Sequence, residues 1–211
     1  MQLTRKINAI VIIIVMVMLI AYVVIQNENS YTIQYFSNAD SYVSQSNDYY
    51  CGPASVQMIL KYANCSILPT QDQLAAEMNC QQPAGTLSIN IHKPFDNASY
   101  GNLTEYTVEY NTSYNDGGHA KPDYNFSYAL TELKTQIHEN HPAILLVWSD
   151  INHIIDNNTN GHYVVAYGYD AGGIYIVDPW GGVPTFLNNT ALDLKWVYQG
   201  YWMFIYDGDH V

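Results

Sequence analysis

Residues Ile7 to Ile25, "INAIVIIIVMVMLIAYVVI", carry no charge, and Asn8 is the one polar side chain among them. Such a run approaches the roughly 20 residues that cross a bilayer and exceeds the roughly 7 to 15 of a signal-peptide core. No small-x-small cleavage pattern precedes Gln26, so the run reads as an uncleaved signal anchor. Arg5 and Lys6 stand just before it, and cationic flanks stay on the cytoplasmic side. The expected organisation is therefore a cytoplasmic N-terminus at 1–6, a transmembrane helix at 7–25, a polar stalk or edge strand at 26–44, and one globular domain over 45–211. The expected localisation is the cell membrane, single-pass, with the C-terminal domain extracytoplasmic.

Seven Asn-x-Ser/Thr sequons, at Asn64, Asn97, Asn102, Asn111, Asn125, Asn157 and Asn188, agree with an exported, surface-exposed, glycoprotein-like domain. The net charge of −12 comes with only 12% charged residues, so it reflects a shortage of Lys and Arg rather than acidic blocks. Phosphate binding needs clustered cations, and nucleic acid is therefore not an expected partner. Hydrophobic residues make up 48% of the chain and there are 20 tyrosines, enough apolar material for the core of one domain.

Three cysteines, Cys51, Cys65 and Cys80, are an odd number. Outside the cell this suggests one disulfide and one free thiol. Cys65 and Cys80 are the natural pair, closing a loop across two predicted helices and leaving Cys51 free; the alternative is three reduced thiols. Their spacing does not resemble a zinc knuckle, and no metal or cofactor is expected. His138 and His141 stand one helical turn apart, but no carboxylate or cysteine set completes them, and they read as surface histidines at a helix end.

The local patterns fall into two blocks. "CGPASVQMILKYAN" reads as a helix, with Pro53 in its first turn and Ala54, Met58, Ile59 and Tyr62 on an apolar face. "TQDQLAAEMNC" reads as a second helix, capped by Thr70 with Gln73 three residues on. Residues 81–124, rich in Asn, Gly, Tyr and Pro, read as a long surface loop. "SYALTELKTQIHEN" is a third helix, stopped at His141-Pro142. From there the runs "AILLVW", "HYVVAYGY", "IYIVD" and "YWMFIY" are short, β-branched and aromatic, and separated by Gly, Asn and Asp. Helices first and strands afterwards imply an α+β domain with a mostly antiparallel sheet.

A cysteine nucleophile needs a base, an orienter for that base, and donors for an oxyanion. In "GHYVVAYGYDAGGIYIVDPWGG", His162 opens one predicted strand and Asp178 closes the next, with Ala171-Gly172-Gly173 as the turn. Antiparallel pairing brings the start of the first strand beside the end of the second, making His162 and Asp178 expected neighbours.

These residues resemble the C39 and C39-like peptidases, within the papain-like cysteine protease fold. The matching pieces are Gln45 and "CGPAS" at Cys51–Ser55, "GHYVV" at Gly161–Val165 and "YIVDPWG" at Tyr175–Gly181, in the family's order. The resemblance implies Cys51 as nucleophile, His162 as general base and acid, Asp178 as orienter and Gln45 as oxyanion-hole donor. A thiol at a helix N-terminus beside an imidazolium favours the thiolate. The expected function is hydrolysis of peptide or isopeptide bonds in a peptide or protein substrate through a thioester. The alternatives are a catalytically silent surface binding or adhesion module of the same fold, and an acyl transferase in which an amine captures the thioester. Family members fused to transporters cut leader peptides after a double glycine; this chain carries no ATPase motif, so a broader role at the cell surface is expected.

Overall fold

The computed structural model describes residues 15–18, 30–101, 103–111, 120–121, 124–148 and 161–208. Among them no helix is long and apolar enough to cross a membrane. The expected span at 7–25 lies outside the described residues except for 15–18, which are helical and exposed.

In chain order the described elements are β1 (Tyr31–Thr32), α1 (Cys51–Tyr62), α2 (Gln71–Glu77), β2 (Tyr106–Asn111), β3 (Ala120–Lys121), α3 (Phe126–His138), β4 (Ala143–Trp148), β5 (Gly161–Tyr169), β6 (Gly173–Asp178), β7 (Val183–Asn188), α4 (Asn189–Trp196) and β8 (Met203–Tyr206). The sheet runs β3-β2-β8-β4-β5-β6-β7, with β1 added at the end of β5. Every described pair is antiparallel except β2–β3. This is the expected α+β class with a mostly antiparallel sheet.

Three of the helices start at a side-chain cap. Thr70 and Gln73 form the reciprocal capping box of α2. Asn125 and Asn188 cap α3 and α4, their side-chain oxygens accepting from the N–H groups of Tyr128 and Ala191. Two of the sequon asparagines therefore also hold helix starts. α1 packs on β5 and against α2, so it is covered on nearly all sides, and only Gln57 and Lys61 are partly exposed. β5 is buried along its whole length after Gly161, which explains a continuous apolar run in place of alternation.

Two parts of the chain differ from the sequence reading. The expected loop at 81–124 contains β2, which pairs with β8 in the register Tyr106↔Tyr206 to Glu109↔Met203. Its partner lies almost a hundred residues on, so local composition could not show it. Tyr124 from the same stretch is buried and donates its hydroxyl to Glu109 at 3.0 Å. The second difference is the segment after β6, where β7 and α4 were not expected. Among the described residues β7 pairs with β6 alone, and as an edge strand it tolerates Pro184.

In the segment read as stalk or edge strand, Tyr31 and Thr32 do form an edge strand on β5. Phe36 is fully buried, its ring 5.8 Å from that of Tyr62 and 5.5 Å from that of Tyr167.

Candidate active site

α1 begins at Cys51 without a side-chain cap, since the side chain of Tyr50 at its N-cap makes no hydrogen bond to the first turn. The first intrahelical bond runs from the Ala54 N–H to the Tyr50 carbonyl at 2.9 Å. Pro53 has no N–H to satisfy, so the helix start leaves the N–H groups of Cys51 and Gly52 without intrahelical acceptors. The positive end of the helix dipole thus falls on the Cys51 side chain, which is buried.

His162 is the second residue of β5 and Asp178 the last of β6. The last pair of that ladder at this end is Val165↔Val177. One step further sets Asp178 against Val164, two residues from His162 and on the same face. The imidazole Nε2 then meets Asp178 Oδ1 at 2.8 Å, with His162 only 7% exposed and Asp178 not exposed at all. Asp178 Oδ1 also accepts the Trp180 N–H at 2.8 Å. With Nε2 committed to Asp178, the other ring nitrogen is the one available to Cys51, and the two side chains are hydrogen-bonded.

Burial is the largest single influence on the Cys51 thiol and acts to raise its pKa. It is outweighed by the hydrogen bond and charge of His162, with further help from the backbone of Tyr163 and Gly52, so the thiol sits below its ordinary value. Burial also disfavours the charged imidazole, but hydrogen bonds to Asp178 and Cys51, with the charges of both, push His162 up to about 10. The two shifts run in the directions that favour a thiolate–imidazolium pair over a neutral thiol and imidazole.

Gln45 is held next to this group without touching it in the hydrogen-bond network. Its N–H donates to the Pro179 carbonyl at 2.8 Å, one residue beyond Asp178. Its side-chain Nε2 donates to Asn47 O at 2.7 Å. That bond fixes the amide orientation, because the flipped amide would set two acceptors together, and it uses one of the two hydrogens on Nε2.

Backbone groups and a close packing contact complete the site, and no residue type in the sequence announces them. The N–H groups of Tyr163, Gly52 and Trp180 are supplied by the fold. At Gly52 an added Cβ would stand 3.0 Å from the side chain of Thr86, a close approach that a larger residue could meet only by displacing Thr86. Thr86 is in turn held by the Tyr163 hydroxyl, which donates to its carbonyl at 2.9 Å.

The expected Cys65–Cys80 disulfide is not formed, and all three cysteines are free. Cys65 follows the C-terminal end of α1, its N–H bonded to Leu60 O, whereas the Cys80 thiol donates to Tyr49 O just before the helix begins. The 12 residues of α1 at 1.5 Å each put about 18 Å between those ends, well beyond the roughly 7 Å that a disulfide spans between Cα atoms. His138 is exposed, its Nδ1 at 3.1 Å from the Tyr169 hydroxyl, and His141 Nδ1 pairs with Gln136 Oε1 at 2.8 Å.

The sequence profile of the Peptidase_C39 like family matches residues 38–202. A crystal structure designated a C39-like peptidase from Bacillus anthracis superposes with a TM-score of 0.56 at 16% identity, covering 85% of this chain and 98% of that one. At that identity the likeness is one of fold. The peptidase domain of Streptococcus ComA, a bifunctional ABC transporter of a quorum-sensing pathway, aligns at 18% identity and a TM-score of 0.49, covering 79% and 98%. No curated protein matches the chain.

Proposed function

The chain belongs to the Peptidase_C39 like family, and from that membership we propose that it is a cysteine peptidase with Cys51 as nucleophile, His162 as general base and acid, Asp178 as orienter and Gln45 as an oxyanion donor. The observation that carries this reading is the buried hydrogen-bonded row Cys51, His162, Asp178, assembled from a helix start and two strand ends. Burying three ionisable groups together is costly unless they act as a unit, which argues against a module that only binds.

The Cys51 thiolate attacks the carbonyl carbon of the scissile bond. The oxyanion so formed takes hydrogen bonds from the Cys51 N–H and from the second hydrogen of Gln45 Nε2. The His162 imidazolium gives its proton to the departing amine, leaving a thioester and a neutral imidazole. That imidazole then accepts a proton from water as the water attacks the thioester, and collapse releases the acid and restores the ion pair. Asp178 holds the ring and stabilises its charged form throughout. The same proposal places the domain outside the cell on the anchor at Ile7–Ile25, supported by the flanking Arg5 and Lys6 and by the sequons.

Iodoacetamide labelling of Cys51 in the full chain, located by peptide mass spectrometry, tests the ion pair. Labelling is expected to be fast well below about 8.5, the pKa of an ordinary thiol, because His162 holds the thiol down. Labelling that climbs only around the ordinary thiol pKa would overturn the reading. Hydrolysis should then fall on the alkaline side near pH 10, where the imidazolium that protonates the leaving amine is lost. Asp178→Asn keeps an acceptor for the ring but removes the charge, so this limb should move to lower pH; an unmoved limb would exclude Asp178 as the orienter.

Gln45→Ala removes one oxyanion donor and should lower kcat by roughly 100- to 1,000-fold with KM little changed. Steady-state kinetics on a cleaved peptide decide it, and an unchanged kcat would leave the oxyanion to backbone donors alone.

A further inference from the structure

Cys80 is a partly buried thiol that the proposed mechanism does not use, and it lies on the active-site end of α1. Its N–H closes α2 on Ala75 O at 2.8 Å, and its thiol reaches Tyr49 O at 3.5 Å, two residues before Cys51. The chain then folds into a short hairpin in which Gln81 and Gly85 exchange both backbone hydrogen bonds, at 2.9 and 2.6 Å. It returns as Thr86, whose side chain lies against Gly52 on the other side of the nucleophile. The segment from Cys80 to Thr86 thus straddles the first turn of α1, with one contact just before Cys51 and one just after it.

We propose that Cys80 is the resolving thiol of the site, which captures peroxide-oxidised Cys51 as a Cys51–Cys80 disulfide and so switches the nucleophile off reversibly. The inference rests on the reading of Cys51 as an ion-paired thiolate. Two peptide units span at most about 7 Å, so the Tyr49 carbonyl that Cys80 touches is itself close to Cys51. Residues 81–84 are exposed, and the hairpin they form is closed mainly on itself, so Cys80 at its base can shift toward the helix start. Cys65, at the far end of α1, cannot compete.

The two thiols differ in the way the chemistry needs. Cys51 is the thiolate, and its sulfur attacks a peroxide oxygen; the O–O bond breaks, giving Cys51 sulfenic acid and hydroxide. Burial raises the Cys80 thiol, so Cys80 stays protonated and is not the first target. Its sulfur then attacks the sulfenic sulfur, the S–O bond breaks, the thiol proton leaves with the oxygen as water, and the disulfide forms. A dithiol reductant reverses the last bond by exchange.

The test uses the reduced full chain, treated with hydrogen peroxide and followed by non-reducing peptide mapping and by iodoacetamide labelling of Cys51. The expected result is a linked Cys51–Cys80 peptide and a complete loss of labelling that dithiothreitol fully restores. Cys80→Ser keeps a donor for Tyr49 O and should label at the wild-type rate when reduced. After peroxide its Cys51 should run on to sulfinic acid, with no recovery in dithiothreitol. Fast labelling of the reduced protein, combined with sulfinic acid and no linked peptide in wild type, would overturn the switch and leave the peptidase reading standing. Equal recovery in both proteins would do the same. Slow labelling before any peroxide would remove both.

Discussion

Cys51→Ala is expected to remove peptide hydrolysis altogether, a loss of roughly 10⁶-fold in kcat on the scale of nucleophile deletions in other triads. The protein should nevertheless fold. The side chain is small and sits at a helix start, and its removal leaves the His162–Asp178 bond at 2.8 Å intact. Circular dichroism and the thermal midpoint should therefore stay near wild type, within the few degrees that about 1 kcal/mol produces. Mass-spectrometric profiling of a peptide mixture would measure the activity. Products that persist in a folded Cys51→Ala protein would mean that the nucleophile lies elsewhere.

His162→Ala should be nearly as damaging to catalysis, by roughly 10⁴- to 10⁶-fold, and unlike Cys51→Ala it should also cost stability. The imidazolium is the cation between two buried acids. Without it the Cys51 thiol is left with burial as its largest influence, so its pKa rises and labelling at neutral pH slows. Asp178 keeps the Trp180 N–H as a partner but loses its counter-charge in a site with no exposure. Removing one partner of such a buried pair costs about 3–5 kcal/mol. The pH dependence of each contribution has a definite sign. A group whose pKa is raised on folding, here from 6.5 to about 10, stabilises the fold fully below its unfolded value and loses that contribution as pH rises through the folded one. Cys51, lowered on folding, contributes above its unfolded value of 9.0 and loses that contribution as pH falls through its folded value. The two contributions run in opposite directions with pH, so between 6.5 and 9.0 the growing Cys51 contribution offsets the falling His162 one. Denaturant titrations at neutral pH that find His162→Ala as stable as wild type would mean that the imidazole is not the buried cation of the site.

The amino-acid sequence by itself determined the local elements whose causes are local. α1, α2 and α3 are set by Pro53, by the Thr70–Gln73 capping box and by the stop at His141-Pro142; β5 and β6 are set by apolar β-branched runs around a Gly-Gly turn. It also made His162 and Asp178 neighbours, because a hairpin joins two strand ends whatever the rest of the fold does. Tertiary structure decided everything that depends on contacts distant in sequence. β2 exists because β8 is there to pair with it, and no pattern within residues 81–124 reports that. The cysteine pairing failed for the same reason: a loop in sequence says nothing about direction in space, and α1 puts its own length between Cys65 and Cys80 while bringing Cys80 to the helix start. The low thiol pKa of Cys51 likewise belongs to the assembled site, since burial alone acts the other way and only the imidazole brought from β5, with the backbone N–H groups around it, reverses the sign.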